Sequence, residues 1–146
     1  MSKMIFVNLP VADLPKSTAF YEAIGFTNNP QFSDDAGACM VLSDTIYVML
    51  LTHEKFAQFT TRAIPDAHKT AQMLLALSCD SRESVDEITA AALATGGALA
   101  HDAEDLGFMY STGFHDPDGH GWGPFFMDMA GIEAQQAEPA PEPAGA

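Results

Sequence analysis

The chain has 146 residues, 47% hydrophobic and 18% charged, enough apolar material for a folded core and too much for a disordered chain. Its 20 Asp and Glu outnumber 6 Lys and Arg, giving a net charge of −14 and a pI near 4.3. Phosphate backbones and anionic lipid repel such a chain, so no nucleic acid and no membrane is expected among its partners.

Ile5, Val7, Leu9 and Val11 alternate with Phe6, Asn8 and Pro10, the period of a strand with one face on a core. Asp13 is placed to cap a helix, with Pro15 in its first turn and Gly25 as its stop. Asn28-Asn29-Pro30 reads as a turn, and a weak strand is expected around Gln31-Phe32. Ala38–Ser43 and Ile46–Thr52 read as strands joined at Asp44-Thr45. From His53 to Thr70 no apolar period is sustained, which predicts a connector with one helical turn near Phe56.

The same order then returns. Met73–Cys79 reads as a strand, and Asp80 with Glu83 forms a capping-box-like pattern at a helix start. Val85, Ile88 and Ala92 give that helix an apolar stripe, and Gly96-Gly97 ends it. Strands follow at Ala98–His101, Gly107–Phe114 and His120–Met127. Two βαβββ modules are therefore expected in one α+β domain over residues 1–129: module one 4–52, connector 53–70, module two 71–129. Residues 130–146, with three Pro and one large apolar residue, predict an acidic tail that does not join the core.

Cys39 and Cys79 lie in apolar stretches without CxxC spacing and read as small core residues, compatible with a reducing cytoplasm. The apolar run after Lys3 contains Asn and Pro and is too short for a secretory or membrane-spanning segment. Asp116-Pro-Asp-Gly has the pattern of a type I turn, which accounts for its carboxylates without a metal.

Three segments carry a family resemblance: Phe6-Val-Asn-Leu-Pro-Val-Ala-Asp13-Leu14, Phe20-Tyr-Glu-Ala-Ile-Gly-Phe26 and Asp116-Pro-Asp-Gly-His120-Gly-Trp122. In this order and on a repeated module, they resemble the vicinal oxygen chelate superfamily of lactoylglutathione lyases, bleomycin-resistance proteins and extradiol dioxygenases. The resemblance implies two βαβββ modules forming a curved mixed sheet around a cup, helices outside, and a homodimer. It also implies a divalent metal held by one residue from the first and last strand of each module. Those positions fall at Phe6, Met49, Leu74 and Gly123, none of which is a hard or borderline metal donor, so no metal and no other cofactor is expected.

Strand parity places Phe6, Asn8, Tyr47, Met49, Leu74, Ser78, Gly123 and Phe125 in the cup, with His53 at its rim. Tyr110 is added as a hydrogen-bonding group. These ten residues are the expected ligand-binding set, an apolar and aromatic concavity with a few polar groups suited to a small molecule. His68 and His101 read as surface residues. The scarcity of Lys and Arg argues against a glutathione conjugate, whose carboxylates need cationic partners. Three readings remain open: a metal-free small-molecule-binding protein, a lyase- or dioxygenase-like enzyme, and a dimeric interaction protein whose cup is filled by side chains.

Overall fold

The structure, a computed structural model, describes residues 2–130. The expected tail therefore lies, but for Ala130, outside the described residues.

Alternation of apolar and polar residues makes β1 (Ile5–Val11) a strand, and Asp13 starts α1 (Leu14–Ala23) by accepting the Lys16 backbone N–H. Gly25, at φ +113°, turns the chain into β2 (Thr27–Asn29). The expected second strand is thus three residues early. Pro30–Phe32 is instead a 3-10 turn, because Pro30 fixes its first φ and the Asn29 side chain caps it. Then come β3 (Gly37–Val41), β4 (Ile46–Thr52) and the short α2 (His53–Phe56). Module two supplies β5 (Leu74–Ser78), α3 (Arg82–Ala94), β6 (Ala98–Asp105), β7 (Met109–His115) and β8 (Gly121–Met127). The cap of α3 is Ser81 rather than Asp80: the Ser81 hydroxyl accepts the Ser84 N–H at 3.0 Å.

The strands form two four-stranded mixed sheets, ordered β1-β4-β3-β2 and β5-β8-β7-β6. In each, the first strand runs parallel to the last, with the module's helix between them in sequence. The all-exposed edge strand β6 carries Asp102, Glu104 and Asp105, charges that discourage edge-to-edge pairing.

One core crosses the seam between the modules. Leu9, Val11, Val48 and Leu50 from sheet one pack with Phe20 and Tyr21 of α1 and with Phe114 and Trp122 of sheet two. Tyr21 makes edge contacts with Phe20, Phe26 and Trp122 at centroid distances of 5.1, 5.4 and 5.9 Å. Helix α1 packs its Ser17, Phe20 and Tyr21 face into the seam and leaves Lys16, Ala19, Glu22 and Ala23 exposed.

Around that cluster runs a polar latch. Tyr21 OH donates to Asp116 Oδ2 (2.6 Å) and accepts the Trp122 indole N–H (3.0 Å). Asp116 Oδ1 accepts the backbone N–H groups of Asp118 and His120, both at 2.9 Å. Asp118 accepts the Ala12 N–H (2.8 Å) and the Ser17 hydroxyl (2.9 Å). The Gly119 N–H bonds to the Asp116 carbonyl at 2.9 Å, which makes Asp116–Gly119 the expected turn.

Candidate functional site

Parity assigns the two faces of each sheet. Val48 and Leu50 point to α1, so Phe6, Asn8, Tyr47 and Met49 occupy the opposite face of sheet one. Trp122 and Pro124 are buried on the helix side of sheet two, leaving Leu74, Ser78, Gly123 and Phe125 on its other face. These outer faces are open: Phe6 is 43% and Leu74 78% exposed. Phe6 and Tyr47 stack at 4.3 Å and 10°, each covering the other's ring.

The ten residues do not gather at one place. Asn8 and Leu74 border a cleft of about 390 Å³ between the end of β1, the connector and the start of sheet two. His53 borders an adjoining hollow under the connector, and Ser78 a separate one between the end of α1 and α3. Tyr110 departs from its expected place: its hydroxyl donates to Asp86 of α3 at 2.6 Å, on the helix side of sheet two. That hydrogen bond raises the Tyr110 pKa above its ordinary value. Tyr47 OH donates to the Asp44 carbonyl, so it is held at its own hairpin.

The cleft is completed by residues outside the expected ligand-binding set, His68 among them, which was expected only at the surface. Residues 67–73 form one wall, His115 and Gly119–Gly121 another, and Phe56 of α2 closes an end. His68, Lys69, His115 and His120 all border it. His120 is oriented by its Nε2–H, which donates to the Pro10 carbonyl at 2.8 Å, since a carbonyl can only accept. The Asp66 carboxylate shapes the connector by accepting the His68 N–H at 2.9 Å, and Gly119 passes close beneath it at Ala67. The one available sequence signal was His120 following directly on the turn glycine; nothing periodic marks His68 or Lys69.

The metal implied by the resemblance does not suit these side chains. Phe6, Met49, Leu74 and Gly123 have Tyr47, Asn8, Gly121 and Ala76 as partners across the ladders, and none of the eight is an imidazole or carboxylate. Among the described residues no three His, Cys, Asp or Glu side chains are grouped as a metal ion would need. Neither thiol is poised as a nucleophile, since burial pushes both Cys39 and Cys79 up from their usual range.

Residues 3–43 match the family model of the bleomycin resistance protein-like N-terminal region. No curated protein matches the sequence. Among solved structures, a hypothetical protein of S. aureus is 25% identical, with a TM-score of 0.74 over 86% of this chain and 95% of that one. A glyoxalase/bleomycin resistance protein/dioxygenase family enzyme of Burkholderia phytofirmans is 20% identical, with a TM-score of 0.71 over 86% of this chain and 99% of that one. A genomically encoded fosfomycin resistance protein of Listeria monocytogenes is 21% identical, with a TM-score of 0.62 over 86% and 93%. Among the described residues no helix is long and apolar enough to cross a membrane. The N-terminal match over residues 3–43 and the fold shared with solved glyoxalase/bleomycin resistance proteins are in line with the resemblance that the sequence motifs carry.

Proposed function

We propose that this chain binds a small, partly apolar molecule in the cleft between β1, the connector and β8, without using a metal. The cleft itself carries the reading: about 390 Å³, within the usual range of ligand sites, with apolar walls from Pro10, Phe56, Pro65 and Leu75 and a few polar groups between them. Binding or sequestration asks for no more than this. The donor-poor set Phe6, Met49, Leu74 and Gly123 favours it over the metal-dependent lyase and dioxygenase chemistry of the superfamily. The open apolar faces around Phe6 and Leu74 suit coverage by a second copy of the chain, so the binding form is read as a homodimer.

Two measurements test this. Purified protein should carry well below one equivalent of zinc, nickel, manganese or iron; a stoichiometric metal would overturn the metal-free reading. A thermal-shift screen of small molecules of mixed polarity should yield ligands that raise the melting temperature by about 5 °C or more when present at about 100 times their Kd. Gly121→Leu should abolish that response while leaving the fold intact. A Cβ at Gly121 meets only side chains, the end of Leu74 at 2.9 Å and the His115 ring at 3.9 Å, both of which border the cleft, so the larger residue projects into it. A shift that survives this substitution would place the ligand elsewhere.

A further inference from the structure

The charge of the cleft wall is opposite to that of the rest of the molecule. Among the described residues no Asp or Glu side chain borders the cleft, whereas Lys69 and three of the five histidines, His68, His115 and His120, do. The neighbouring carboxylates are engaged elsewhere. Asp116 gives its oxygens to Tyr21 OH and two backbone N–H groups, and Asp118 gives its oxygens to Ala12 N–H and Ser17 OH in the seam. Asp66 turns to the His68 N–H and borders the adjoining hollow, which shares His68 and His120 with the cleft.

Several donors on the wall have no partner of their own. No hydrogen bond or ion pair with another described residue engages the side chains of His68, Lys69, Gln72 or His115. Asn8, by contrast, is occupied with the Phe6 carbonyl at 3.2 Å. In a chain of net charge −14, a concavity free of carboxylates and lined with unengaged donors favours an anion over a cation or a neutral molecule.

We propose that the cleft selects small organic monocarboxylates: an apolar body against Phe56, Pro65 and Leu75, and one carboxylate near Lys69. A single lysine fits one carboxylate and not the two of a glutathione conjugate. This rests on the small-molecule reading above and narrows it to a ligand class. Lys69 and His68 are exposed, so the electrostatic part of the selection is screened by salt.

Cinnamate and cinnamamide make the test, because they share a shape and differ in the charge of one end. By calorimetric titration of the full chain at low ionic strength, cinnamate is expected to bind about tenfold more tightly than cinnamamide. The ratio should fall as salt is raised. Lys69→Gln should weaken cinnamate by about threefold or more and leave cinnamamide unchanged, since an exposed lysine contributes a modest charge term and little packing. Equal binding of the two, or a preference untouched by Lys69→Gln, overturns the carboxylate assignment alone. If neither binds at millimolar concentration the assignment also falls, and whether the small-molecule reading falls with it is decided by whether the thermal-shift screen yields any other ligand sensitive to Gly121→Leu.

Discussion

Asp116→Ala is expected to lower the stability of the chain by about 3–4 kcal/mol, because it leaves one buried and two part-buried donors without an acceptor. Those donors are Tyr21 OH and the backbone N–H groups of Asp118 and His120. Tyr21 is fully buried and Asp116 nearly so, which prevents water from replacing the lost carboxylate without rearrangement. The same carboxylate closes the turn whose next residue, Asp118, holds the N-terminal end of α1 through Ser17. Urea denaturation should therefore show a lower midpoint, and the cleft wall at His120 should lose its place as the turn loosens. A loss below about 1 kcal/mol would mean that the latch is not a principal bond between the modules.

The charge of that carboxylate works against it. Burial raises the Asp116 pKa, opposed by the nearby His120 and by the hydrogen bonds from Tyr21 and the His120 backbone. Burial likewise lifts Tyr21 well above its ordinary value, and the charge on Asp116 adds to the rise. For an acid whose folded pKa is raised, the stabilising contribution is complete below the unfolded value of about 3.9 and is lost as pH rises through the folded value. Asp116→Asn cannot ionise and keeps an oxygen for the two backbone N–H groups. The stability of the wild type relative to this variant should therefore increase as pH falls from neutrality toward 4. An opposite trend in paired denaturation curves would show that the hydrogen bonds, not burial, set the ionisation of Asp116.

Local chemistry made much of the fold legible. Alternation over Ile5–Val11 and Ile46–Thr52 sorted the faces of sheet one, and Asp13, Gly25 and Gly96-Gly97 marked the ends of the two main helices. Misses occurred where two local signals overlap or an element is too short to show a period. Asp80 and Ser81 are adjacent cap candidates, and only packing decides that Ser81 takes the Ser84 N–H. β2 has three residues, two of them Asn, and looks like a turn until its pairing with β3 is seen. The cleft was hidden for a different reason. Its connector wall has no period, and its histidines come from positions 68, 115 and 120, which only the crossing of the turn beneath the connector brings together. The latch was equally out of reach, since Tyr21 and Asp116 are 95 residues apart.

Gly119→Ala should be the most damaging change that removes no side chain, at about 3–4 kcal/mol, because two penalties coincide there. The residue sits at φ +93°, a conformation that L side chains adopt only under strain. A Cβ there would also lie 2.7 Å from the Ala67 carbonyl carbon and the His68 nitrogen, backbone atoms that cannot swing aside. Gly25→Ala separates the two terms: its φ is +113° and nothing lies within 4 Å of the added carbon. That control should cost only about 1–2 kcal/mol and leave cleft ligands unaffected. In Gly119→Ala the connector must lift at Ala67-His68, carrying His68 and Lys69 away from His115, so carboxylate binding should fall even at temperatures where the variant remains folded. Equal stability losses at the two glycines would show that backbone strain alone governs position 119, and unchanged cinnamate affinity in Gly119→Ala would show that the connector wall does not shape the site.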